Sequence, residues 1–236
     1  MKPKLVLTAG VFLVGVSFAL LASGGYIAWQ MASITGSDGY ISSKPGTFST
    51  ETYAVSSLDI NINMDNFVPV YLQWLAPNDA VIVKFAAASN NASKGIFMGL
   101  GTTNDVQTYL DNIEHNTAIY YHWRISPFRV SLEINGATTE MGGAPLQSPA
   151  NETFWLLSTQ GSPTATMSAA MRAGVYRLVL MNADGSSTIN ATLQIAARFP
   201  FMDRLIILLF ASGAVLGAAG GYVVYFRYIR RKQNIK

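Results

Sequence analysis

The stretch that decides the fold is Gly174-Val-Tyr-Arg-Leu-Val-Leu-Met-Asn-Ala-Asp-Gly-Ser-Ser-Thr-Ile-Asn-Ala-Thr-Leu-Gln-Ile195. Residues 175–181 form an almost continuous apolar run. Such a run suits a central strand covered on both faces. Further on, Ile189, Ala191, Leu193 and Ile195 alternate with Asn190, Thr192 and Gln194. A period of two puts one face in a core and the other in water. Between the two runs stands Asp184-Gly185, a turn dipeptide. The expectation is a tight hairpin built by residues 182–185, with Gly174 closing the turn before it.

The same signals recur on either side. Leu58, Ile60 and Ile62 alternate with Asp59, Asn61 and Asn63, and Ala165, Met167, Ala169 and Met171 with Thr164, Thr166 and Ser168. Phe128, Val130, Leu132 and Ile134 alternate with Arg129, Ser131, Glu133 and Asn135. Residues 80–88 are a second more continuously apolar run, again read as a strand covered on both faces. Pro77-Asn78-Asp79, Asn90-Asn91, Gly142-Gly143 and Gly161-Ser162-Pro163 supply turns, and 138–150 reads as a loop. One short helix is expected, capped by Asn104 with Gln107 at the capping-box position. It would present Val106, Tyr109, Leu110 and Ile113 on one face. The fold class predicted is membrane-anchored all-β: a β-sandwich or jelly-roll-like domain with one short helix, flanked by two transmembrane α-helices.

The flanks come from the distribution of charge. Half of the 236 residues are hydrophobic and only 12% are charged, with a mean hydropathy of +0.27. Ordinary soluble domains carry about 25% charged residues. The deficit is concentrated in residues 5–29 and 205–226, which contain no charge at all. Each is long enough for a membrane-spanning helix, which needs roughly 20 apolar residues. Lys2 and Lys4 ahead of the first run also fit a signal peptide. The run is longer than the apolar core of such a peptide and ends in Tyr26-Ile-Ala-Trp29, so it reads as a retained anchor. Lys2, Lys4, Arg227, Arg230, Arg231, Lys232 and Lys236 load the two tails with base, and neither tail holds an acid. Positive residues stay in the cytoplasm. The organisation expected is therefore a cytoplasmic tail (1–4), a span (5–32), an extracytoplasmic domain (33–200), a second span (201–226) and a basic cytoplasmic tail (227–236). The partners expected are the lipid bilayer and either other membrane proteins or a second copy, joined through the second span. The basic tails are topogenic and give no reason to expect nucleic acid.

Candidate contact residues lie in the spans. Gly213, Gly217 and Gly221 form a doubled GxxxG, and Gly15, Ala19 and Ser23 repeat the spacing in the first span. Small residues on one stripe let helix backbones approach closely, and since the two spans come from one chain and run antiparallel, an intramolecular hairpin is the simplest reading and association of copies through the second span the sharper one. Asp203 and Arg204 read as an interfacial pair at the mouth of the second span. Neither span has an ionisable residue at its centre, which argues against an ion or proton pathway.

Chemistry is sparse. The chain has no cysteine, which excludes disulfides, Cys-ligated zinc, iron–sulfur clusters and a thiol nucleophile. None of the GxSxG, HExxH, P-loop or GxGxxG motifs occurs. His115 and His122, with Asp111 and Glu114 nearby, suggest a metal only weakly, because seven positions put two strand residues on opposite faces. Tyr120, Tyr121 and Trp123 serve either a binding surface or the core. No catalytic, cofactor-binding or metal-ligating residue is assigned, and no cofactor is expected. Asn91-Ala-Ser, Asn151-Glu-Thr and Asn190-Ala-Thr are candidate glycosylation triplets, Asn190 the poorer for standing on a strand.

Several stretches in order carry a resemblance: Asp38-Gly-Tyr, Phe48-Ser-Thr-Glu-Thr-Tyr53, Ile96-Phe-Met-Gly-Leu-Gly, Asp105-Val-Gln-Thr-Tyr-Leu110, Phe154-Trp155, and 174–186 with its Met-Asn-Ala-Asp-Gly-Ser run. The chain resembles a family of uncharacterised, mostly actinobacterial, membrane proteins with a span near each end and an extracytoplasmic β domain. The resemblance covers nearly the whole chain and implies topology and fold, with no activity or site residues to carry over.

The function expected is that of a non-enzymatic cell-envelope membrane protein. Its β domain would bind or scaffold partner proteins at the membrane surface. The alternatives are a transmembrane sensor or regulator, and an envelope hydrolase or carbohydrate-binding module.

Overall fold

The computed structural model describes residues 3–62, 74–75, 81–125 and 128–233. The turn expected at Pro77-Asn78-Asp79 lies outside these residues. Contacts divide the chain into a helical unit, Met1–Ile34 with Phe201–Lys236, and a β unit, Thr35–Pro200.

Among the described residues three α-helices form: α1 (Pro3–Ile34), α2 (Thr103–Leu110) and α3 (Pro200–Gln233). α1 and α3 are both long and apolar enough to cross a membrane. α3 begins on Pro200, whose missing N–H is no loss in a first turn and whose fixed φ suits one. Large apolar side chains, among them Phe12, Phe18, Ile207 and Val215, stand exposed along both helices.

Among the described residues the β unit contains twelve strands: β1 (Ile41–Ser42), β2 (Gly46–Thr50), β3 (Ala54–Ser57), β4 (Ile60–Ile62), β5 (Val81–Ser89), β6 (Ile96–Thr102), β7 (His115–Ile125), β8 (Phe128–Glu140), β9 (Leu157–Gly161), β10 (Thr164–Met171), β11 (Gly174–Asn182) and β12 (Ile189–Arg198). They build two sheets. The first runs β1-β12-β5-β10, with β2 also on β12. The second runs β8-β7-β3-β11-β6-β9, with β4 also on β11. All pairings are antiparallel except β3 with β7.

This topology corrects the expected hairpin. β11 and β12 follow each other in the chain, yet they lie in different sheets and do not pair. Asp184-Gly185 is a genuine turn, with Gly185 at φ +73° and its N–H donating to the Asn182 carbonyl oxygen. It carries the chain from one sheet to the other instead of folding a ribbon back. Among the described residues, β7 and β8 are the only consecutive strands that pair with each other. Turn chemistry is local, whereas the choice of partner strand is made by burial of both sheets' inner faces.

Other boundaries shift for equally physical reasons. β5 does not have both faces covered. Val81, Val83, Phe85 and Ala87 are buried, while Ile82, Lys84, Ala86 and Ala88 are partly open. Leu58 is exposed, and the alternating strand begins only at Ile60. The region expected to be a loop from 138 belongs to β8 as far as Glu140. The helix α2 is capped by Thr102, not Asn104: the Thr102 hydroxyl accepts the Asp105 N–H at 3.3 Å and donates to the Asp105 carboxylate at 2.7 Å. The cap therefore stands two residues earlier than expected, with Asp105 rather than Gln107 as the side chain that meets it. The apolar face of α2 carries Val106 and Leu110 buried and Tyr109 packed beside them, as expected, whereas Ile113 lies beyond the end of the helix, bridged to Gly143, and joins the same buried cluster.

Candidate functional site

The expected contact between helices can now be located atom by atom. The Ser17 hydroxyl of α1 donates to the Gly213 carbonyl oxygen of α3 at 2.7 Å. A Cβ on Gly213 would fall 2.8 Å from Leu21 Cγ, and one on Gly217 would fall 2.6 Å from Ser17 Oγ. Further along, a Cβ on Gly220 would meet the Gly10 carbonyl oxygen at 2.8 Å, and one on Gly24 would meet Leu209 Cβ at 3.2 Å. Low numbers on α1 meet high numbers on α3, so the pair is antiparallel. Gly10, Ser17 and Gly24 are buried on α1 and Gly213 and Gly220 on α3, a spacing of seven on both helices.

The other small residues named from the sequence stand elsewhere. Gly15, Ala19 and Ser23 are exposed, and Ser23 spends its hydroxyl on the Ala19 carbonyl within its own helix. A Cβ on Gly15 or Gly221 would meet nothing within 4 Å. The reason is angular. At 3.6 residues per turn, a step of four drifts about 40° and accumulates. A step of seven drifts only about 20° and holds a seam on its partner. The sequence signal for the contact is thus the heptad Gly10, Ser17 and Gly24, which a search for four-residue spacing passes over.

In the β unit three features gather side chains. The first is polar. Arg177 on β11 donates from Nε to the Asp59 carboxylate at 2.6 Å and from a terminal nitrogen to the Gln107 side-chain oxygen on α2. The Thr103 hydroxyl also donates to Asp59, at 3.2 Å. A cavity of about 350 Å³ opens beside them, lined by Asp59, Thr102, Thr103, Asn104 and Val175. The Arg177–Asp59 bond spans 118 positions of sequence, which is why no local pattern announces it.

The second feature is aromatic. The Phe154 and Trp155 rings lie 4.2 Å apart between centroids, and each lies within 5.5 Å of the Tyr109 ring. Trp155 also packs on Phe97 and directly against Gly99, where a Cβ would come within 2.6 Å of the indole. The indole N–H donates to the Pro149 carbonyl oxygen at 2.9 Å, so the ring is fixed at both ends. Burial, helped by the charge of Glu152, pushes the Tyr109 hydroxyl above the ordinary tyrosine range.

The third is the crossover from β11 to β12. The buried Asn182 amide donates to the Ser186, Ser187 and Thr188 carbonyl oxygens at 2.8, 2.9 and 3.3 Å. Those bonds hold Thr188 at φ +65°, a conformation that β-branched residues rarely adopt. The Ser186 hydroxyl and N–H both donate to Asp184 and hold its carboxyl below the ordinary range. A groove of about 580 Å³ beside this crossover is lined by Gly95, Ser148, Gln160, Gly161, Ser162, Ala183 and Asp184.

The remaining sequence candidates disperse. His115 is buried, with Nδ1 2.8 Å from the Ile113 carbonyl oxygen. The side chains of Tyr120, Tyr121, His122 and Trp123 lie outside the described residues, though their backbone is on β7. Among the described residues no three His, Asp or Glu side chains converge on one point. Asn91 and its triplet partner Ser93 are exposed in the β5–β6 connection, and Asn151 is exposed at the end of a 3-10 turn, Pro149–Asn151. Asn190 is exposed on β12, with its side-chain oxygen accepting from Asn90 Nδ2 at 2.8 Å. No protein-family model matches the chain, and no curated protein matches it.

Proposed function

We propose that this chain is a two-pass cell-envelope membrane protein with both termini in the cytoplasm. Its jelly-roll-like β domain, outside, binds or scaffolds partner proteins at the membrane surface without catalysis of its own. The observation that carries the reading is the pair α1–α3. Its polar link, Ser17 to Gly213, faces inward, while Val11, Phe12, Phe18, Ile207 and Val215 point outward. Just 11% of either apolar window is buried, whereas a core helix of a soluble protein would be mostly enclosed. Pairing within one chain uses Gly213 and Gly217, so the exposed Ala214, Ala218 and Gly221 side is the part of α3 available to another membrane protein or a second copy. The resemblance to two-span membrane proteins points the same way.

A partner-binding role for the domain is supported by Met141, Leu146 and Leu156, large apolar side chains exposed in the segment between β8 and β9. Two of its cations are engaged structurally: Arg177 by Asp59 and Gln107, and Lys84 by Asp38.

The cysteine-free chain makes topology directly testable. A single Leu146→Cys should react with a membrane-impermeant maleimide in intact cells, and a single Lys232→Cys only after permeabilisation. The reverse pattern, or equal labelling of both, refutes the topology. Leu146→Asp should then reduce co-purification of membrane proteins without lowering insertion; undiminished recovery removes the scaffolding role from this surface.

A further inference from the structure

The three Asn-x-Ser/Thr triplets are indistinguishable as motifs but not as structures. Asn91, Ala92 and Ser93 are all exposed and lie between β5 and β6, outside either sheet's ladder. The Asn91 side-chain oxygen accepts both the Ser93 N–H, at 3.1 Å, and the Ser93 hydroxyl, at 2.7 Å. The two groups that define the triplet, amide and hydroxyl, are therefore already side by side in one turn. Among the described residues nothing bonds to Asn91 Nδ2, which leaves the nucleophilic end of the amide to solvent. Few contacts oppose lifting this turn: the Lys94 N–H to the Asn91 carbonyl, and Ser89 Oγ with the Asn91 backbone.

Asn190 contrasts at every point. It sits within β12, paired with Ser49 of β2 on one side and held on the other by the Asn90 N–H bonded to its carbonyl. Its side-chain oxygen is taken by Asn90 across the strands, and Thr192, the third residue of its triplet, bonds to Asn90 and lies against Thr47. Presenting this triplet to an enzyme would mean opening the sheet.

We propose that Asn91 is an N-glycosylation site of the folded chain and that Asn190 is not. This rests on the extracytoplasmic placement of the β unit proposed above. The co-substrate is a saccharide carried on a polyprenyl diphosphate, delivered by a membrane transferase. Asn91 Nδ2 attacks the anomeric carbon, and a C–N bond forms as the C–O bond to phosphate breaks. The polyprenyl diphosphate leaves with the electron pair, and the amide proton passes to a base of the transferase. No oxidation or reduction is involved.

The test uses the full chain carrying Leu146→Cys, purified from its own cell membranes after labelling of intact cells with the impermeant maleimide. Tryptic cleavage after Lys84 and Lys94 releases peptide 85–94, which contains the site. Mass spectrometry with fragmentation should place a saccharide on Asn91. Asn91→Gln and Ser93→Ala should remove it, Ser93→Thr should retain it, and Asn190→Gln should leave the glycan content of the chain unchanged. A bare 85–94 peptide in chains labelled from outside overturns the modification and leaves the topology standing. Maleimide labelling of the Leu146→Cys chain that needs permeabilisation overturns the topology and the modification together. A saccharide on Asn190 overturns the distinction drawn from the sheet.

Discussion

β5 and β11 are both nine residues long, both lie inside their sheets, and both read in sequence as mainly apolar runs interrupted by one cation, Lys84 or Arg177. They are nevertheless buried differently. On β11 the consecutive residues Leu178, Val179, Leu180 and Met181 are all fully enclosed. On β5 burial alternates, and its outer face keeps Ile82, Lys84, Ala86 and Ala88 partly open. The difference is made elsewhere in the chain. Val179 and Met181 lie under α2 and the Phe154–Trp155 pair, which pack with Phe97 and Ala54 into one cluster. Nothing equivalent among the described residues covers β5, whose Lys84 instead pairs with Asp38 and sits 4.5 Å from the Tyr40 ring centre. An apolar run thus says that a strand is central; whether its second face is covered depends on segments the run does not contain.

The sharpest way to break this contrast is to place a charge on successive positions. Val179→Asp and Leu180→Asp should each cost more than about 3 kcal/mol, because either face of β11 traps an unpaired carboxylate. On β5, Phe85→Asp should be as damaging, while Ala86→Asp should stay within about 0.5 kcal/mol. Denaturant titration of the full chain in detergent measures all four; a large loss at Ala86 would erase the distinction. Next in size is the cover itself. Gly99→Val forces a side chain into the Trp155 indole and should cost about 1–3 kcal/mol, with a change in tryptophan emission. An unchanged melting curve and spectrum would mean that Trp155 does not press on the sheet.

These cases also show what the sequence revealed. The alternating runs at 165–171 and 189–195 were legible because each strand's inner face is set by its own side chains. The apolar face of α2 was legible for the same reason. Strand partnership was not: Asp184-Gly185 looks the same whether the next strand pairs with the last one or crosses to the other sheet. The Arg177–Asp59–Gln107 cluster was invisible because its members belong to three separate parts of the chain. In the spans, glycine content pointed to close helix contact, but its phase around each helix had to be seen to separate Gly213 and Gly217 from Gly221.

Two smaller effects refine the contrast. Thr102→Ala should loosen the helix that covers β11 at a cost of about 1 kcal/mol, whereas Asn104→Ala should cost clearly less. Equal effects in thermal melts would return the cap to Asn104. The smallest effect is on pH. The Asp184 carboxyl is held low, first by the Ser186 hydroxyl and then by its N–H, so its contribution is present above the ordinary carboxylate range. It is lost as pH falls through the lowered value. Asp184→Asn should therefore flatten the acid limb of stability slightly and leave neutral pH nearly unchanged; a steeper acid limb in the variant would contradict the assignment.

The crossover at 182–188 bears on how the domain comes apart. A hairpin can peel from the edge of a sheet while the rest holds. Here β11 and β12 are interior members of opposite sheets, stitched together by one asparagine amide. Strain on either sheet is passed to the other through a few backbone atoms. Amide protons of β11 and β12 should accordingly exchange with solvent at one common, slow rate, as a single lock rather than two layers.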